Sequence, residues 1–251
     1  MHIIMKKNPP TQSAHAGERI AKRMARAGLC SRREAEAWIT AGIVKVNGVV
    51  VASPALNVTE EDVIIVDGQT LEVKEPTRMW LYHKPAGLMT THKDPEGRPT
   101  VFAALPKNMP RVISVGRLDL NSEGLLLLTN DGALARKLEL PSNGWIRKYR
   151  VRAYGDITPA MLAQMKKGVV AEGVNYGSVE AVIDSKQGGN SWLTVSLKEG
   201  KNREIRKIFE HFDCKVSRLL RTSYGPFILG KLERGEVQEV SKKMLESFIG
   251  K

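Results

Sequence analysis

The spacing of apolar positions changes several times along the chain, and each change predicts an element. Ile20, Met24 and Ala27, then Ala35, Trp38 and Ile39, recur at helical spacing. Gly28 and Gly42 stop these two helices, and Ser31 with Glu34 makes a capping box at the start of the second. Val44 and Val46, with Val49 to Val51 across Asn47-Gly48, predict a hairpin with a type I′ turn; Val63 to Val66 before Asp67-Gly68 predicts another strand and turn. Met79 to Tyr82 predicts a strand ended by a turn at His83-Lys84-Pro85-Ala86-Gly87, and Val112 to Val115 a buried strand ending at Gly116. Leu125 to Leu128 is too short and too uniformly apolar for its period to be read, and Asn130-Asp131-Gly132 closes it as a turn. A short helix follows over Leu134 to Leu138. Arg147 to Tyr154 alternates, with Tyr149, Val151 and Ala153 on one face. Thr158 caps a helix from Pro159 to about Lys167. Strands are expected at Val169–Val174, Ser178–Asp184 and Ser191–Leu197, then a helix after Glu199 with Ile205, Ile208, Phe209 and Phe212 inward. Val216–Leu220, Pro226–Leu232 and Val237–Val240 read as closing strands before a last helix from Ser241 to Ile249.

Frequent short strands with glycine turns favour antiparallel pairing over a doubly wound sheet. The fold class expected is α+β: a small N-terminal module of helices plus hairpin, then a long mixed, mostly antiparallel sheet with flanking helices. The divisions expected are a flexible basic tail over 1–17, the small module over 18–75, a polar linker over 76–78 and a large domain over 79–251.

Charge narrows the partners. The 251 residues carry 39 Lys and Arg against 27 Asp and Glu, a net charge of +12. That surplus calls for an anionic partner, nucleic acid or an anionic membrane surface. No apolar run approaches the roughly 20 residues of a membrane span. Residues 1–17 lack an apolar core followed by a cleavage site, so no secretion signal is expected. Cys30 and Cys214 are the only cysteines, which argues for a reducing cytoplasm. Five scattered histidines offer no metal spacing, and neither a G-x-G-x-x-G fingerprint nor a P-loop occurs, so neither metal nor nucleotide cofactor is expected.

Arg19, Lys22, Arg23, Arg26, Arg32, Arg33 and Lys45 crowd into the first module. Near a helix N-terminus such a cluster suits phosphate, since backbone donors add to side-chain charge. In the larger domain, Arg117 and Asp119 would share a face along a continuing strand, and a carboxylate beside a guanidinium stays ionised. The residues alone leave Asp119 open between a turn or cap residue and a nucleophile.

Gly116-Arg117-Leu118-Asp119, followed by Ser122 to Gly132, resembles the signature of the pseudouridine synthases that modify ribosomal RNA, most of all the RsuA/RluB group. Lys84-Pro85-Ala86-Gly87 matches the segment that opens their catalytic domain, Lys148-Tyr149-Arg150-Val151 their second motif, and Glu199 to Phe209 their third. Leu29 to Glu36 with Gly42 to Gly48 resembles the RNA-binding module named after small ribosomal protein S-four, with Arg19, Arg26, Ser31, Arg32, Arg33 and Lys45 as RNA contacts.

The resemblance implies isomerisation of uridine: the bond from ribose to the base nitrogen breaks, the base rotates and a carbon takes its place. It makes Asp119 the nucleophile, on sugar or base. Tyr149 would lie over the base and handle its carbon-bound proton, and Arg206 would pair with the aspartate. Arg117 would hold the displaced nucleotide, with Leu197, Lys201 and Arg203 around the substrate. Arg147 stands where relatives often have lysine. The partner implied is ribosomal RNA or a ribosome assembly intermediate, large-subunit RNA before small-subunit RNA, with a monomer as the default. The rivals are a pure RNA-binding or assembly protein and an RNA methyltransferase; the latter would need a glycine-rich cofactor loop that the chain lacks.

Overall fold

The computed structural model describes residues 17–72 and 75–249, so the tail expected over 1–17 lies, apart from Gly17, outside the described residues. Contacts divide the chain into two compact units, 1–76 and 77–251.

In the first unit the elements run β1 (Glu18–Arg19), α1 (Ile20–Arg26), α2 (Arg32–Thr40), β2 (Val44–Val46), β3 (Val49–Val50), β4 (Asn57–Val58), β5 (Ile64–Val66) and β6 (Gln69–Thr70). The capping box forms: the Ser31 hydroxyl accepts from the Glu34 N–H, and the Glu34 carboxylate accepts from the Ser31 N–H at 2.7 Å. Both expected turns form, the type I′ turn with φ of 50° and 82° at Asn47 and Gly48 and the second turn with 49° and 79° at Asp67 and Gly68. Ile20, Met24, Ala35, Ile39, Val44 and Ile64 fill a small core between helices and strands.

The second unit continues with β7 (Met79–Lys84), β8 (Ile113–Val115), β9 (Glu123–Thr129), α3 (Gly132–Glu139), β10 (Arg147–Tyr154), α4 (Pro159–Lys167), β11 (Val169–Ala171) and β12 (Val174–Tyr176). Then come β13 (Val179–Gln187), β14 (Asn190–Leu197), α5 (Glu204–His211), β15 (Lys215–Tyr224), β16 (Phe227–Ile228), β17 (Val237–Glu239) and α6 (Lys242–Ile249). The main sheet has the order β13-β14-β10-β15-β9-β7-β17, with β16 on β15 and β8 on β9. Every pairing in it is antiparallel except β15 with β9, a parallel seam of two residue pairs, Leu220 with Glu123 and Arg221 with Gly124. The α+β architecture expected from the sequence is the one observed.

One apolar cluster lies on each face. Leu126, Leu128, Tyr149, Val151 and Leu193 pack with residues of α4 and α5, whereas Leu125 and Leu127 pack with residues of α3 and α6. A strand covered on both faces is apolar at every position, which is why Leu125 to Leu128 has no readable period. Gly124 is required at the seam. Its φ is +100°, and a Cβ there would lie 2.2 Å from the Arg221 carbonyl oxygen.

Four sequence expectations change. His83 and Lys84 continue β7 as buried strand residues and are not part of a turn. Val169–Val174 is a hairpin, β11 and β12, turning at Glu172-Gly173, both at positive φ. Within Pro226–Leu232 only Phe227–Ile228 is strand. Thr77 and Arg78, placed in a linker by their polarity, are tied into the second unit: Thr77 donates to the Asp131 carboxylate at 2.7 Å and Arg78 pairs with Glu239 at 2.6 Å.

Candidate active site

The loop between β8 and β9 carries Arg117 and Asp119. The strand ends at Val115, and Gly116 turns at φ +67° while its N–H donates to the Glu139 carboxylate at 2.7 Å. Arg117 and Asp119 therefore do not alternate along a strand: Arg117 is exposed and Asp119 half-buried.

Two cations hold this loop by its backbone. Lys84, with no exposed surface, donates to the carbonyls of Asp119 (3.1 Å), Leu120 (3.3 Å) and Ser122 (2.8 Å), and to that of Pro85 (3.1 Å). Arg206 donates to the one carbonyl left, that of Asn121, at 3.0 Å, and to that of Val216 on β15 at 2.9 Å. Burial pushes the Lys84 ammonium down to about 8, against the pull of the Asp119 and Glu123 carboxylates. Burial and then the neighbouring Arg203 lower Arg206, while Asp119 and Glu210 act the other way. Among the described residues the Asp119 carboxylate itself makes no hydrogen bond or ion pair within 4.0 Å, so Arg206 does not pair with it directly. Lys84 holds the Asp119 carbonyl and Arg206 that of Asn121, and neither occupies the Asp119 carboxylate oxygens.

Tyr149 comes to the same region by register. It pairs with Arg221 of β15, which in turn lies level with Gly124 just beyond the loop. Tyr149 and Leu197 both face the cluster that holds Leu118, the neighbour of Asp119. The segment before α5 is drawn in by its own contacts. Lys201 donates to Glu199 and to the Asn175 carbonyl, both at 2.7 Å, and Arg203 adopts the left-handed region at φ 52° with its side chain exposed. Glu204 accepts from the Lys201 N–H at 2.8 Å; its other oxygen is buried without a partner, and burial pushes its carboxyl up to about 7.

Lys84 and Glu204 were not singled out from sequence. For Lys84 the available signal was the apolar run Met79 to Tyr82 continuing into a lysine directly before Pro85.

In the first unit the nominated residues separate. Arg26 pairs with Glu18 at 2.5 Å, Arg19 donates to the Ala55 carbonyl at 2.6 Å, and Ser31 caps α2. Arg32, Arg33 and Lys45 are exposed and make no hydrogen bond or ion pair among the described residues.

A family model described as RNA pseudouridylate synthase matches residues 78–211. The chain belongs to that family. A second model, the S4 domain, matches residues 18–64. The synthase is 52% identical over 227 residues to an uncharacterized RNA pseudouridine synthase of Rickettsia bellii, covering 90% of this chain and 98% of the relative. It is 43% identical over 241 residues to the ribosomal large subunit pseudouridine synthase B of Pasteurella multocida, covering 93% of this chain and 69% of that one. A solved structure titled as a pseudouridylate synthase has the same fold, with a TM-score of 0.66 at 24% identity, covering 92% of this chain and all of the other. Among the described residues no helix is long and apolar enough to cross a membrane.

Proposed function

We propose that the synthase isomerises uridine in large-subunit ribosomal RNA, in the cytoplasm, with Asp119 as the nucleophile. The relative named for the large ribosomal subunit supports the choice of RNA. One observation carries the choice of residue: Lys84 and Arg206 between them hold the four consecutive carbonyls of residues 119–122, and the Asp119 side chain remains unpaired. A loop held so firmly by its backbone spends none of its side-chain chemistry on structure, which suits a positioned nucleophile.

The same two cations bring positive charge to the loop without occupying the Asp119 oxygens. Attack by Asp119, on sugar or base, labilises the bond between ribose and the base nitrogen; the freed uracil turns, its carbon joins the ribose, the bond to Asp119 breaks, and the base nitrogen takes up a proton. Tyr149 lies along the base and accepts or relays the proton released from that carbon. Extruding the nucleotide costs a few kcal/mol. Phosphate contacts at Arg32, Arg33 and Lys45 offset it, and Arg117, Lys201 and Arg203 supply further charge near the site.

Asp119→Asn keeps the shape and removes the charge. Site-resolved pseudouridine detection on large-subunit RNA fragments is expected to find no product with the variant, at unchanged RNA affinity. Turnover by Asp119→Asn would remove Asp119 from the mechanism, and product on small-subunit fragments alone would reassign the target.

A further inference from the structure

The face of the main sheet opposite Tyr149 is open at β10 and β14. Alternation places Arg150, Arg152 and Tyr154 on that face, and all three are exposed. In register, Arg152 lies between Trp192 and Arg218, and Arg150 lies beside Leu220. Arg150, Trp192, Arg218 and Leu220 line a cleft of about 360 Å³, within the range of about 300–1,000 Å³ common for small-ligand clefts.

The Trp192 indole is the centre of this cleft. The Arg150 guanidinium lies over it at 4.8 Å, and that of Arg218 at 6.0 Å. Arg218 is committed, since it donates two hydrogen bonds to Glu123. Arg150 and Arg152 make no ion pair among the described residues. Two further acids lie on this face: Asp184, held by the Thr194 hydroxyl at 3.1 Å, and Glu180, level with Ser196 and paired with Lys166 at 3.9 Å. A guanidinium braced on an indole, with a second free guanidinium beside it, offers one flat cationic surface and one mobile charge.

We propose that this cleft is a second RNA site, binding a single-stranded segment that flanks the target, with one base stacked on the Arg150–Trp192 platform and a neighbouring phosphate on Arg152. Arginine planes and aromatic rings are the surfaces on which unpaired RNA bases stack, and uncommitted arginines beside them take the phosphates. The excess of unpaired cations excludes a basic partner. The proposal rests on the family's RNA substrate and is independent of which residue attacks.

The test uses the full chain and a short fluorescein-labelled oligouridylate. Trp192→Ala is expected to weaken binding about ten-fold, and Trp192→Phe, which restores a stacking ring, about two-fold or less. Arg152→Gln is expected to lower the slope of log affinity against log salt by about one. Ultraviolet cross-linking followed by peptide mapping is expected to give a nucleotide adduct within residues 190–198. Adducts confined to other segments, or unchanged binding in Trp192→Ala and Arg152→Gln together, would overturn the proposal. None of these readouts depends on turnover, so loss of activity in Asp119→Asn and loss of binding here remain separate results.

Discussion

Replacing Lys84 by Met keeps most of the side chain's volume and removes its charge and its donors. Two of the four carbonyls it serves have another donor: Asp119 accepts from the Ser122 N–H at 3.0 Å and Leu120 from the Gly87 N–H at 2.8 Å. The carbonyls of Pro85 and Ser122 depend on the ammonium alone among the described residues. Stranding one buried and one half-buried carbonyl costs roughly 2–4 kcal/mol. Against that, the variant no longer buries an ammonium. Its fall from 10.5 to about 8 corresponds to roughly 3 kcal/mol, at about 1.4 kcal/mol per pKa unit. The two contributions nearly cancel, so Lys84→Met is expected to shift stability by no more than about 1 kcal/mol. Activity has no such compensation. A loop freed to move by about 1 Å costs on the order of 100-fold in kcat. Urea unfolding in a Trp38→Phe background, where the three remaining tryptophans all lie in the second unit, reads the first quantity. Single-turnover pseudouridine formation reads the second. A kcat within about three-fold of wild type would refute the positioning role, and a stability loss well above 4 kcal/mol would make Lys84 a structural residue.

Glu204 has a carboxyl raised by burial from 4.5 to about 7, so the folded state holds a proton that the unfolded state releases. Its stabilising contribution is complete below pH 4.5 and is lost as pH rises through about 7. The unfolding free energy is expected to fall across this window by up to roughly 3 kcal/mol, and Glu204→Gln to flatten that slope in denaturation curves taken at successive pH values. Gly124→Ala drives a Cβ into the Arg221 backbone and is expected to cost more than about 4 kcal/mol, read as loss of soluble protein. Arg206→Lys cannot span the Asn121 and Val216 carbonyls as the forked guanidinium does. It is expected to fold and bind RNA while kcat falls at least ten-fold, measured with saturating RNA.

The elements with one buried face were legible in the sequence. Arg147 to Tyr154 alternates because only Tyr149, Val151 and Ala153 are covered, and α2 announces itself through Ser31 and Glu34. What escaped was whatever depends on distant backbone. Lys84 looked like a turn residue because lysine is seldom buried, and nothing local reveals that a loop 35 residues away supplies its carbonyls. The same applies to Gly124, whose conformation is dictated by β15 nearly a hundred positions later. Arg206 and Asp119 were legible as motif residues. Their actual relation, a guanidinium on the neighbouring carbonyl of Asn121 in place of a direct ion pair, is a matter of ångströms that spacing does not encode.

The parallel seam joins two antiparallel blocks of the one main sheet. The proposed acid lies in the loop between β8 and β9, whereas the phenol is on β10 across the seam and the guanidinium on α5. Two residue pairs, the Arg218–Glu123 bridge and the bond from Arg221 to the Leu125 carbonyl stitch the blocks together. Both apolar clusters cross the seam as well, so substitutions along the stitching have to be compensated across it. A hybrid that grafts one half from a diverged relative should therefore regain activity only when Glu123, Gly124, Arg218 and Arg221 are transferred as a set.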